Sequence, residues 1–171
     1  MKSKYLAPIV FVLLLVIGYT ATAQNEVNFP NDFVLKTNEM PEGFTVRPMD
    51  DNAKALGLPD NPGVLTNPNF YSSMYPNADT SSIKQLLIAI YSKPEAANKE
   101  VGIFVAEYHT EELLAQEVEK VVPGKELIYL TIGKYMILVW SDGGRYVKET
   151  RYAADQLKKR LQLQEIGGSK K

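Results

Sequence analysis

Hydrophobic residues in the second half of the chain fall into four short stretches that have the length of β-strands. They are rich in Ile, Val, Leu and aromatic residues, which favour extended backbone, and polar turn residues separate them. They read IKQLLIAIYS at 83–92, VGIFVAEY at 101–108, LIYLTI at 127–132 and YMILVWS at 135–141. The pattern predicts four strands, and Gly133 and Lys134 predict a two-residue hairpin turn of type II′.

A helix is predicted after the second strand and another after the fourth. Thr110 is a suitable N-cap, and Glu111 and Glu112 place negative charge at the positive end of the first helix dipole. The second helix is predicted from about residue 146 to 163. The order strand, strand, helix, strand, strand, helix predicts an α+β fold: a four-stranded, mainly antiparallel sheet with both helices on one face.

Residues 24–82 form a segment rich in Asn and Pro, which favour turns over regular structure. Short strands are expected within 32–37 and 43–49, and a brief helix within 49–58. The segment contains too many aromatic residues for a solvated linker, so it is predicted to pack on the domain as an irregular layer. The predicted ββαββα core covers 83–165, and a flexible tail covers 166–171.

The first 23 residues are predicted to be a signal peptide. Lys2 and Lys4 precede an apolar run, and Ala21 and Ala23 occupy the small-residue positions of a cleavage site. The alternative is an uncleaved anchor helix, for which the apolar run is short. Removing 23 of 171 residues leaves 148, the size of one domain. We therefore expect a periplasmic or secreted protein with no membrane span after cleavage.

Composition narrows the class of protein further. The chain has no cysteine, which excludes disulfides, thiolate catalysis and thiolate metal sites, and which favours a bacterial envelope protein over a small secreted animal domain. Removing two lysines with the signal leaves 17 basic and 20 acidic residues, a formal charge of −3. No basic stripe for nucleic acid is present. The short run Lys158, Lys159, Arg160 is interpreted as a solvated helix face.

His109 is the only histidine, and it lies where the second strand ends and the first helix begins. Strand alternation places Glu107 on the same face, so the two side chains are a candidate metal site or a candidate catalytic pair. The alternative is a partly exposed histidine in a strand-to-helix connection. The chain has no G-x-S-x-G, P-loop or H-E-x-x-H motif, so the sequence identifies no catalytic residue and implies no cofactor.

Tyrosine is frequent in the predicted strands, and a partly covered sheet face suits its ring and hydroxyl. Alternation assigns Tyr91, Tyr108 and Tyr129 to the face opposite the helices. It does not decide which of the two alternating sets of residues in the fourth strand lies on that face. Either the N-terminal segment covers this face, or part of it is open to a partner. The candidate binding residues are those three tyrosines together with Phe70, Tyr71 and Tyr75 of the Asn/Pro-rich segment.

These features favour an exported, non-catalytic binding or interaction module of the bacterial cell envelope. Its expected partner is an envelope protein, a peptide or a glycan. The alternative is an envelope hydrolase that uses His109 with Glu107, with or without a metal ion. A third possibility is an assembly subunit that binds through an exposed sheet edge.

Overall fold

The computed structural model describes residues 26–51, 54, 60–67, 79–95, 100–124, 127–141 and 146–167. Within these ranges the chain forms strands and helices in a β-rich order. The elements are β1 (Thr45–Val46), β2 (Gly63–Leu65), β3 (Ile83–Ser92), β4 (Glu100–Tyr108), α1 (Glu111–Val118), β5 (Leu127–Ile132), β6 (Tyr135–Ser141), α2 (Val147–Leu161) and β7 (Gln164–Glu165). No helix of the described part is long and apolar enough to cross a membrane.

The strands form one antiparallel sheet in the order β1-β3-β4-β6-β5-β7, and β2 also pairs with β3. The α+β class is confirmed, and so are the four main strands and the turn at Gly133, where φ is 50°. The four-stranded sheet was wrong, because three strands of two or three residues bring the number to seven. The strand β1 lies within 43–49, where a short strand was expected, whereas β2 and β7 carry too few alternating positions for a recognisable pattern.

The two helices pack on opposite faces of the sheet, so the prediction that both share one face was also wrong. Leu114 of α1 lies in one apolar cluster, whereas Ala153, Ala154 and Leu157 of α2 lie in the other. Helix α1 connects β4 to β5 across β6, and α2 connects β6 to β7 across β5. Both connections move in the same direction across the sheet, but they start from β4 and β6, which run antiparallel to each other. Crossovers of the same hand must then lie on opposite faces.

The N-terminal segment completes the layer that contains α2. Phe33, Leu35 and Phe44 are at most 1 % exposed and belong to the same apolar cluster as α2. Residues 31–33 and 37–39 form 3-10 turns, so the strand expected within 32–37 was wrong. Most of the helix expected within 49–58 lies outside the described residues.

The outer edge of β3 is covered by β1 and β2, and the side chain of Asn61 occupies the space between them. Its Oδ1 accepts a hydrogen bond from the Ile90 amide at 2.8 Å, and its Nδ2 donates to the carbonyl oxygens of Ile90 (2.6 Å) and Arg47 (2.7 Å). An amide side chain offers the same donor and acceptor pair as a peptide unit. Asn61 therefore continues the hydrogen bonding of the sheet edge where neither short strand reaches.

Candidate functional site

Within the described part of the chain, the face of the sheet on which α1 packs is only partly covered. With eight residues α1 is about 12 Å long, while β4 has nine residues and spans about 30 Å. The helix packs over one end of the sheet, where Tyr108, Ala106 and Met136 join its Leu114 in a buried cluster. The opposite end of this face extends beyond the helix.

At that end the register of the strands brings together the side chains that we call the aromatic patch. Trp140 pairs with Gly102 and Leu127, and the adjacent row contains Phe104 and Tyr129. Ile90 of β3 pairs with Gly102 and extends the same row as Trp140. Leu127 is 37 % exposed and the other four are half-buried. The aromatic patch consists of Ile90, Phe104, Leu127, Tyr129 and Trp140.

Gly102 determines how the indole ring of Trp140 lies. A Cβ atom at position 102 would come within 2.0 Å of the ring, so only glycine allows the indole to rest on β4. The Phe104 and Trp140 ring centroids are 5.4 Å apart with an interplanar angle of 34°. The two rings therefore form a tilted pair on the sheet surface, with geometry in the favourable range for aromatic contacts.

The indole Nε1 of Trp140 is buried and has no hydrogen-bond partner in the described part of the chain. An unpaired buried donor costs about 1–3 kcal/mol. A phenylalanine would avoid that cost but would lack the indole atoms that lie over Gly102, so the unpaired Nε1 is the part of this side chain that packing does not explain. Unpaired buried polar groups are rare in folded proteins and point to functional positions more often than chance.

The aromatic patch carries almost no charge. Strands β4, β5 and β6 are described throughout, and their only charged side chain on this face is Glu100. The carboxylate of Glu100 is 2.5 Å from the guanidinium of Arg47, which neutralises it. Burial raises the pKa of Tyr129, so its hydroxyl stays neutral at physiological pH. The surface therefore suits an uncharged ligand.

Two of the three predicted binding tyrosines lie inside the domain. Tyr91 packs on the α2 face and Tyr108 on the α1 face, and each is at most 1 % exposed. Tyr108 shares the α1 face with Tyr129, as expected, but Tyr91 does not, because the register pairs Tyr91 with Val101, on the face of Ile103. Burial raises the pKa of Tyr91 to about 12. Phe70, Tyr71 and Tyr75 lie outside the described residues.

Glu107 and His109 do not form a shared site. The Glu107 carboxylate is buried on the α2 face, where it accepts hydrogen bonds from Lys134 (2.7 Å), Lys84 (3.1 Å) and Gln85 (2.5 Å). Burial raises the pKa of Glu107, but these hydrogen bonds outweigh it and the pKa lies below its ordinary range. The side chain of His109 is exposed, and its backbone amide donates to the Ser82 carbonyl at 3.0 Å.

The residues that follow His109 are explained by capping of the N-terminus of helix α1. The Thr110 hydroxyl accepts a hydrogen bond from the Leu113 amide at 3.3 Å, which is the expected N-cap contact. Among the described residues, no group of three or more His, Asp or Glu side chains is arranged to hold a metal ion. The Glu107 carboxylate is already bonded to two ammonium groups, so it has the surroundings of a structural ion pair.

A separate feature is a small polar cleft of about 270 Å³ between the N-terminal segment and the residues that follow β3. Its lining consists of Glu42, Gly43, Lys93, Pro94 and Glu95. The Lys93 ammonium lies 5.2 Å from the centre of the Phe44 ring, so an aromatic face already holds this cation. The cleft is smaller and more polar than most ligand pockets, which makes the aromatic patch the stronger candidate.

The candidate site was only partly visible in the sequence. Alternation grouped Phe104 with Tyr129, but left the side of Trp140 open, because both parities of the fourth strand are apolar. The usable signal was Gly102 within a strand, since a glycine there often marks close approach of another group. No family model, curated protein or solved structure matches this chain.

Proposed function

We propose that this protein is an exported, non-catalytic binding module of the bacterial cell envelope, periplasmic or secreted, whose partner docks on the aromatic patch. One observation carries the proposal: half-buried aromatic rings collect on a neutral part of the sheet that α1 does not reach. Aromatic residues are enriched at binding surfaces, because they supply large contact area with few rotatable bonds.

Two further observations support a non-catalytic role. The only histidine is exposed, its side chain makes no hydrogen bond or ion pair with another described residue, and Glu107 is held by Lys84 and Lys134. A general base needs a free proton-accepting atom within reach of a substrate. The hydrolase alternative has no such observation in its favour.

The sheet edges argue against an assembly subunit that adds strands. Strands β1 and β2 cover the outer side of β3, and β7 pairs with β5 on the other side of the sheet. Strand addition needs a row of free backbone donors and acceptors. The face of the sheet is therefore the better candidate surface than its edges.

The test uses the single tryptophan of the chain, which lies in the aromatic patch and reports on it by fluorescence. Protein, soluble polysaccharide and peptidoglycan-fragment fractions of a bacterial envelope are titrated into the purified mature protein. We expect one fraction to shift the Trp140 emission, and we expect Leu127→Ser to weaken that binding about threefold and Tyr129→Ala to weaken it at least tenfold.

The matched controls are Val147→Ser and Tyr152→Ala, which remove residues of similar exposure on α2, at the opposite face. They should bind as the wild type does. Equal loss in the patch and control variants, or full binding by the patch variants, would reject the aromatic patch as the contact surface. Export is tested separately: N-terminal sequencing of secreted or periplasmic protein should begin at Gln24, and a chain that still begins at Met1 would contradict cleavage.

A further inference from the structure

We infer that the ligand of the aromatic patch is an uncharged glycan chain, an inference that rests on the proposed function. The first argument is the shape of the surface. Gly102 lets the indole of Trp140 lie on the sheet, and Phe104 and Tyr129 continue the aromatic surface in the next row. One face of a pyranose ring consists of C–H groups, which stack on aromatic rings through many weak dispersion contacts.

The second argument is charge. The carboxylate of Glu100 is neutralised by Arg47, and the phenol of Tyr129 stays protonated because burial raises its pKa. Since strands β4, β5 and β6 carry no unpaired charge on this face, a charged ligand would lose hydration there without gaining a counter-charge. Anionic glycans and charged peptides are therefore disfavoured relative to neutral sugars.

The third argument is area. The side chains of the patch are half-buried, apart from Leu127 at 37 % exposure. Large aromatic side chains have about 150–250 Å² each, so the patch exposes roughly 300 Å². A standard protein–protein interface buries about 800 Å² on each partner. The patch is too small for a stable protein partner or a second copy of this chain, but it matches two or three sugar rings.

The experiment titrates the mature protein with neutral hexasaccharides of glucose, xylose and mannose in different linkages. Polygalacturonate serves as an anionic comparison, and an uncharged, leucine-rich peptide serves as an apolar one. We expect at least one neutral hexasaccharide to shift the Trp140 emission to a saturable limit. Its affinity should change less than twofold between 50 mM and 500 mM salt, because no ion pair contributes.

Two variants separate binding from folding. Trp140→Phe removes the unpaired Nε1 donor together with indole atoms that pack on Gly102, two opposing effects, so it should remain folded with a stability close to that of the wild type, yet bind the hexasaccharide at least tenfold more weakly by calorimetry. Leu127→Ser changes an exposed residue and should weaken binding about threefold. Wild-type affinity in both variants would overturn the inference.

The remaining outcomes distinguish this inference from the proposed function. If only the peptide or polygalacturonate shifts the Trp140 emission, or if sedimentation shows self-association through the patch, the glycan is rejected and the binding surface stands. If no neutral hexasaccharide shifts the emission at millimolar concentration, the glycan is likewise rejected. If an envelope ligand binds with wild-type affinity to Trp140→Phe and Leu127→Ser, the aromatic patch itself is rejected.

Discussion

The hydroxyl of Tyr91 forms two hydrogen bonds with one residue, Leu35. It accepts from the Leu35 amide and donates to the Leu35 carbonyl oxygen, each at 2.9 Å. A strand of the sheet thus holds a segment that precedes it by 56 residues. Leu35 belongs to no described strand or helix, so these bonds satisfy backbone groups that burial would otherwise leave unpaired.

Tyr91→Phe should therefore lower the free energy of unfolding by about 2 kcal/mol, because it leaves a buried amide and a buried carbonyl without partners. Urea denaturation followed by circular dichroism measures the change. Tyr152→Phe is the matched control, since Tyr152 is 43 % exposed and should tolerate the loss of its hydroxyl. Equal stability of Tyr91→Phe and the wild type would contradict the role of this contact.

The buried carboxylate of Glu107 predicts a dependence of stability on acid pH. Its pKa is lower in the folded protein than its ordinary value of about 4.5, because hydrogen bonds from Lys134, Gln85 and Lys84 outweigh the effect of burial. This contribution to stability is complete above the unfolded pKa and is lost as the pH falls through the folded pKa.

In Glu107→Gln we expect a shallower fall of the unfolding free energy below pH 4.5, by up to about 1.4 kcal/mol per pH unit. At neutral pH the variant should lose about 2 kcal/mol, since two ammonium groups lose their carboxylate. Lys84→Met removes one of the partners and should shift the acid profile in the same direction by less. Urea midpoints measured between pH 3 and 7 test this, and superimposable slopes for the wild type and Glu107→Gln would refute it.

The side chain of Arg160 in α2 forms hydrogen bonds with the N-terminal segment. Its guanidinium donates to the carbonyl oxygens of Asp32 (3.0 Å) and Val34 (2.9 Å) and contacts the Glu39 carboxylate. The hydrogen bond from Arg160 is also the main reason that the pKa of Glu39 lies below its ordinary value. The basic run at 158–160 was predicted to be a solvated helix face, but Arg160 faces this segment.

Arg160→Ala should therefore accelerate hydrogen exchange of amides in residues 33–40 at least tenfold, because local opening of the segment becomes easier. Lys159→Ala changes the exposed neighbour on the same helix and is the control. Mass spectrometry of exchanged peptides measures both. Unchanged exchange in Arg160→Ala would show that the segment is held by its apolar contacts alone.

The contact between Gly102 and Trp140 gives a fourth prediction. Gly102→Ala should displace the indole ring, lower the unfolding free energy by about 1–3 kcal/mol and shift the tryptophan emission to the red. Gly124→Ala is the control, because a Cβ there would lie 4.0 Å from the nearest side-chain atom, in ordinary contact. Identical emission spectra for Gly102→Ala and the wild type would show that the ring does not depend on this glycine.

The main strands could be predicted from the sequence because each contains six to ten residues of strongly apolar character. Helix α1 was equally predictable, since its cap at Thr110 and its acidic first turn are local signals. A short strand was expected within 43–49, where β1 lies, but β2 and β7 were not predicted, because two or three residues contain no period. Their hydrogen bonds depend on where β3 and β5 already lie.

The sides of the sheet could not be predicted from alternation alone. Alternation divides the residues of one strand between the two faces of the sheet. It does not show which half of the neighbouring strand lies on the same face, because that depends on the pairing register. Tyr91 was assigned to the wrong side for this reason, because its strand has apolar residues on both parities. The faces of the two helices depend on the order of β5 and β6 in the sheet, which is a non-local property.

The short strands at the margins of the sheet have a consequence for association between copies of the chain. The chain has no cysteine, so no disulfide restrains its sheet edges. Strands β1, β2 and β7 are only two or three residues long, and the Asn61 side chain occupies the gap between β1 and β2. A strand of another molecule would therefore find few backbone donors and acceptors in a row to pair with at these strands, which disfavours the strand stacking that builds a fibril.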